Sequence, residues 1–152
     1  MQNSEVVKLL DQYGFLDMGF EVKAHETSDD QTKKTSFVLS NRYVTIDIRI
    51  YSNGVYVSVA KNEENWANGT SATDKENVPR KAFFLEEFLK QKIKYSDEDV
   101  DKILKPEKQK SHEDHDAHVI GNLARIFRNH LMPAIEGKEW PDVHLDWSLF
   151  GR

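Results

Sequence analysis

The clearest periodicity in the chain runs from Tyr43 to Ala60. Within it Val44, Ile46, Ile48 and Ile50 alternate with Tyr43, Thr45, Asp47, Arg49 and Tyr51. Period two sends successive side chains to opposite faces, so this segment reads as a strand with one apolar and one polar face. Asn53-Gly54 follows, the dipeptide best suited to a two-residue type I′ turn because both residues tolerate positive φ. With Ser52 opposite Val55, the expected ladder sets Tyr51 against Tyr56, Ile50 against Val57, Arg49 against Ser58 and Ile48 against Val59. Each apolar residue meets an apolar one, and a slip of one residue would move every side chain to the wrong face.

Around this hairpin the pattern predicts further elements. Val6, Val7, Leu9, Leu10 and Tyr13 recur at helical spacing, with Ser4 as cap and Gly14 as the left-handed stop, which gives a first helix over Ser4 to Tyr13. Leu16, Met18, Phe20 and Val22 alternate, so Phe15 to Val22 reads as a strand that Gly19 weakens or bulges. His25 to Lys34 reads as a polar loop, and Ser36 to Ser40 as a short strand turned by Asn41-Arg42 into the hairpin. Asn62 to Val78 is a long polar connection whose only large apolar residue is Trp66. Pro79 opens a second helix through Lys92, carrying Phe83, Phe84, Leu85, Phe88 and Leu89.

Ser96-Asp97-Glu98-Asp99 starts a third helix, its acids at the positive end of the dipole, and Val100, Ile103 and Leu104 form its buried side before Pro106. Ser111 caps a long fourth helix marked by Val119, Leu123, Ile126, Phe127 and Leu131 and ending at Pro133 or Gly137. In the tail Val143, Leu145, Trp147 and Leu149 alternate, which fits a last edge strand or an extended segment pinned to the body. These elements add up to a single α+β domain over residues 1–152. Its expected architecture is an antiparallel sheet of about four strands with a central hairpin, covered on one face by three to four helices, the other face open.

Composition narrows the function. A chain of 152 residues with 11% aromatic residues suits one folded domain, and its apolar runs are too short for a membrane span. Zero Cys excludes a disulfide framework, thiolate metal sites and a Cys nucleophile. Met1 to Glu5 carries neither the basic nor the apolar segment of a secretory signal, so the cytoplasm is the expected compartment. With 21 Lys and Arg against 26 Asp and Glu, the net charge of −5 disfavours a phosphate-tracking surface and nucleic acid, and leans towards a basic protein partner.

Candidate chemistry begins with His112-Glu113-Asp114-His115-Asp116-Ala117-His118. Residues three apart are neighbours on a helix, so His112 with His115, or His115 with His118, could hold a divalent ion beside Asp116 or Glu113. This is not the His-Glu-x-x-His pattern, and the competing reading is a solvated, acid-rich helix start with no metal. His130 and His144 are isolated, Ser58 and Ser148 occupy no nucleophile elbow, and the glycines are scattered singly, without a phosphate loop. Asp97 and Asp101 read as helix-dipole complementation. No catalytic residue and no cofactor is expected.

The polar sheet face is more informative, since Tyr43, Asp47, Arg49, Tyr51 and Tyr56 share it and Tyr and Arg are enriched at interface hot spots. It reads either as a water-facing surface with a Tyr51–Tyr56 cross-strand pair beside an Asp47–Arg49 ion pair, or as a partner-binding face. Trp66 likewise reads as a plug that orders its loop or as an anchor for a partner.

The hairpin, the aromatic stretch Phe83-Phe84-Leu85-Glu86-Glu87-Phe88-Leu89, Asn122-Leu123-Ala124-Arg125-Ile126-Phe127 and Ile135-Glu136-Gly137, in that order, resemble small bacterial immunity-type proteins. The resemblance implies an acidic, cytoplasmic, non-enzymatic toxin inhibitor and supplies no functional residue. The expected function is therefore protein binding, as a toxin-neutralising or regulatory module. The alternative is a metal-assisted enzyme built on His112, His115 and His118.

Overall fold

Burial follows the alternation of the hairpin: Val44, Ile46, Ile48, Ile50, Val55, Val57 and Val59 are each no more than 4% exposed. Between them stand half-buried or exposed polar residues. The computed structural model describes residues 3–28, 34–51, 53–66, 81–106 and 112–144. Its hairpin is β3 (Val44–Tyr51) and β4 (Gly54–Lys61). Together with β1 (Glu21–Ser28), β2 (Lys34–Ser40) and β5 (Ala82–Phe84) it forms an antiparallel meander, ordered β1-β2-β3-β4-β5 among the described residues.

The expected faces are present, but the register is corrected by two residues. Tyr51 pairs with Gly54, Ile50 with Val55, Arg49 with Tyr56, Ile48 with Val57 and Ile46 with Val59. A shift of two leaves every side chain on its own face, so the binary pattern is blind to it. The turn differs from the expected one: Gly54 lies within β4, is buried, and does not take the positive φ that a type I′ turn needs.

Helix α1 (Asn3–Gln12) ends as expected at Gly14, whose φ is +86°. Of the expected strand from Phe15 to Val22 only Glu21 and Val22 are strand, and Phe15 to Gly19 is a run of turns, stopped by Gly19 at φ +87°. Met18 N–H donates to the Gly14 and Phe15 carbonyls, and Gly19 N–H to that of Leu16. Phe15 and Phe20 are the buried pair, five residues apart. Strand β1 starts at Glu21 and occupies part of the segment expected to be a polar loop. An edge strand is held by backbone pairing with its one neighbour, so a polar sequence can form it. A bulge lies between Val22 and Ala24.

The second helix is also corrected. Ala82–Phe84 pairs with β4 as a fifth strand, Phe83 opposite Val59 and Phe84 opposite Ser58, and α2 (Leu85–Gln91) begins only afterwards. Glu87 Oε1 accepts the Phe84 backbone N–H at 2.9 Å, which satisfies a donor of the first turn and fixes that boundary. Pro79 lies outside the described residues.

Helix α3 (Asp97–Leu104) follows expectation: Ser96 Oγ accepts from Asp99 N–H at 3.1 Å, and Val100, Ile103 and Leu104 are buried. Helix α4 (His112–Ile126) widens into a π-helical segment, Phe127–Leu131, and continues as α5 (Met132–Ile135) to Gly137 at φ +74°. Pro133 explains the widening, because its ring cannot donate to the preceding turn and would collide with the carbonyl four residues back. Ser111 lies outside the described residues, as does the tail from residue 145 onward.

Buried residues of the helices join those of the inner sheet face in one hydrophobic core, in which Phe15 meets Phe127 edge-on with centroids 5.8 Å apart. Thr35 on β2 donates to Asp116 Oδ2 on α4 at 2.9 Å, a buried bond between the two layers. No described helix is long and apolar enough to cross a membrane.

Ile48 is fully buried between Phe37 and Val57. Ile48→Ala is expected to cost about 2–4 kcal/mol in urea denaturation; a loss under about 0.5 kcal/mol would place this residue outside the core.

Lys90 Nζ lies 3.1 Å from Glu86 and 3.0 Å from Asp97, tying α2 to the start of α3. Burial lowers its pKa, but hydrogen bonds to Asp97 and Glu86 and their charges together carry it above the ordinary lysine value of 10.5. A pKa raised in the folded state adds stability below the unfolded value and loses it as pH rises through the folded one. The stability gap between wild type and Lys90→Gln should therefore be constant at neutral pH and close above the ordinary lysine range. A gap that widens with pH would contradict this ion-pair role.

Candidate functional site

On the outer face of the sheet, β3 contributes Asp47, Arg49 and Tyr51, β4 contributes Tyr56 and Ser58, and β5 contributes Phe84. Arg49 donates to Asp47 in two-pronged fashion, Nε to Oδ1 at 3.4 Å and Nη2 to Oδ2 at 3.3 Å. The Asp47 carboxylate, by hydrogen bonding and then by charge, holds the Arg49 guanidinium above its usual pKa, and Tyr51 adds to the effect. The pair is solvent-facing, with 52% and 33% of the two side chains exposed, so it orients Arg49 more than it stabilises the fold.

Tyr51 and Tyr56 meet edge-to-face, centroids 5.5 Å apart and planes at 82°. They are diagonal rather than directly opposed, since Arg49 faces Tyr56 in the ladder, and aromatic rings span that diagonal. Tyr56 is 54% exposed and Phe84 36%, the most exposed large hydrophobic side chains among the described residues. Both lie on this face, Phe84 opposite Ser58 and thus diagonal to Tyr56.

Asp47, Arg49, Tyr51 and Tyr56 are therefore brought together as expected, and Tyr43 is not. Tyr43 precedes β3, and its ring lies against Gly137, where a Cβ would come within 2.4 Å of Tyr43 Cδ1. The same Gly137 needs its positive φ to end α5, so glycine is required there twice over. Asn41 locks this corner: its Oδ1 accepts the N–H groups of Tyr43 and Val44, each at 2.8 Å, and its Nδ2 donates to the Ile135 carbonyl at 2.8 Å.

Trp66 joins Tyr43 there, and the arrangement is that of a plug. Its Nε1 donates to the Tyr43 carbonyl at 2.9 Å, its ring meets Tyr43 and Trp140 edge-on, and the Lys61 ammonium sits 4.9 Å above it.

The histidine cluster is split by the helix. His115 and Asp116 are buried, contrary to the solvated surface expected for His115, whereas His118 is exposed beside Asn122. The side chains of His112 and Glu113 lie outside the described residues, and no group of three metal-ligating side chains occurs among the described ones. His130 is half-buried edge-on to Tyr95, and His144 lies 3.7 Å from Asp142. Ser58 belongs to the outer face, Asp97 pairs with Lys90 and Asp101 lies near Lys105. Ser148 lies outside the described residues.

Phe84 is the residue of this face that sequence reading missed. Its sole signal was the alternation of Phe83 and Phe84 ahead of a helix-capping Glu87, hidden by helical spacing to Phe88. No protein-family model matches the chain, and no curated protein or solved structure shows significant similarity to it.

Trp66→Ala is expected to destabilise the fold by about 2–4 kcal/mol, because a half-buried indole and its hydrogen bond are lost together. Thermal and urea unfolding would measure it; a loss under about 0.5 kcal/mol would mean that the ring does not hold the loop to the body.

Proposed function

We propose that this protein is a non-enzymatic protein-binding module that docks its partner on the outer sheet face through Asp47, Arg49, Tyr51 and Tyr56, with Phe84 added to the set. The observation that carries this reading is the pairing of two exposed rings, Tyr56 and Phe84, with an arginine already oriented by Asp47. Tyr and Arg concentrate binding energy when a partner dries them, and a tyrosine supplies large contact area at low entropic cost. An ion pair set before binding reduces the ordering cost further.

The net charge of −5 favours a basic partner surface by long-range attraction. A toxin-neutralising role, as the resemblance to immunity-type proteins implies, is one form of this module. The competing reading, a metal-assisted enzyme, has no group of three ligating side chains among the described residues to support it.

Pull-down from extract of the source cells, followed by titration of the captured protein, tests the assignment. Tyr56→Ala and Arg49→Ala should each weaken capture by at least ~10-fold, a loss of ~1.4 kcal/mol, while leaving the unfolding midpoint nearly unchanged. Lys102→Ala, at an exposed position of α3, should bind as wild type. Full affinity in both face variants would place the interface elsewhere.

A further inference from the structure

The helix layer carries a cavity of about 370 Å³ between the end of α2, the π-helical segment, α5 and the stretch that follows it. Its size falls within the range of small-molecule sites and is too small for a helix or strand of a partner. Phe88, Leu131 and Ala134, all buried, form part of its lining, with the half-buried Ile93 and Trp140. The widened turn ahead of Pro133 carries both Leu131 and the half-buried His130, which line it side by side.

The far wall is fastened rather than loose. The Pro133 carbonyl accepts the N–H groups of Lys138 and Glu139 at 2.8 and 3.1 Å. Gln91 and the His144 backbone exchange two hydrogen bonds of 2.7 Å, and the preceding Val143 is 2% exposed. Trp140 packs on Phe83 with centroids 5.2 Å apart. A cavity held this way needs little reorganisation to accept a ligand.

Its polar groups divide by the element that carries them. Lys92 and His130 belong to α2's end and the π-helical segment, whereas Glu139 and Asp142 belong to the stretch after α5. Among the described residues Asp142 lies 3.7 Å from His144 Nε2, a loose pair that leaves its carboxylate capacity for a further donor. Lys92, Glu139 and Asp142 are exposed, so a ligand with one charge would pair with one set of groups only, and a ligand with both would meet partners on each side.

We propose that this cavity binds a small zwitterion with a flat apolar body, namely an aromatic α-amino acid. Its carboxylate faces Lys92 and His130, its ammonium faces Glu139 and Asp142, and its ring lies among Phe88, Ile93 and Trp140. The site is separate from the outer sheet face, so the two assignments stand or fall independently.

Calorimetric titration of the full chain with L-tryptophan, and with tryptamine and indole-3-propionate as its singly charged relatives, tests this. Saturable one-to-one binding of L-tryptophan is expected, with each relative at least ~10-fold weaker. Lys92→Met and Asp142→Asn, both at exposed positions, should each weaken L-tryptophan by about 5–10-fold, a loss of ~1–1.4 kcal/mol, with unfolding midpoints unchanged. Tyr56→Ala should bind L-tryptophan as wild type. Absence of saturable binding, equal binding of the three compounds, or wild-type affinity in both cavity variants would overturn the assignment.

Discussion

Burial of one face of the meander is the constraint on which the remaining structure depends. Phe37 and Leu39 on β2, Ile46, Ile48 and Ile50 on β3, Val55, Val57 and Val59 on β4, and Phe83 on β5 present one continuous apolar surface, each residue no more than 4% exposed. Such a surface cannot face water, so the helices must cover it, and their buried residues are those that reach it. Because strand side chains alternate, covering one face leaves the other free to be polar and aromatic without cost to the core. The outer face is thus a consequence of the core, not an independent feature.

That alternation also explains how much was legible in the sequence. The faces of β3 and β4 follow from period two, and with them the grouping of Asp47, Arg49, Tyr51 and Tyr56. Ser96 and its trailing acids specify the start of α3 by local capping chemistry alone. The register was not legible, since an offset of two preserves every face and Gly54 sits in the strand it was expected to turn. Nor was β1, a polar edge sequence that pairs with β2 through its backbone. Tyr43 left the predicted group because a distant glycine, Gly137, makes room for its ring, and no local signal reports a contact so remote in sequence.

Phe83 and Phe84 connect the two surfaces. Adjacent residues of β5 send one ring inward, stacked on Phe88 with centroids 5.7 Å apart and touching Trp140, and the other outward beside Tyr56's strand. The bond from Phe84 N–H to Glu87 fixes where strand becomes helix, and so which ring goes which way. A three-residue strand therefore places aromatic surface both on the outer sheet face and behind the helix-side cavity.

The central claim, that the outer face is where a partner docks, is tested most directly by tyrosine footprinting. The chain's five tyrosines divide naturally: Tyr51 and Tyr56 lie on the outer face, whereas Tyr13, Tyr43 and Tyr95 pack towards Gly121, Gly137 and His130. Nitration of the free protein and of its complex with the captured partner, read by mass spectrometry, should show strong protection at Tyr51 and Tyr56 and none at Tyr95. Unchanged nitration of Tyr51 and Tyr56 in a stoichiometric complex would contradict the account.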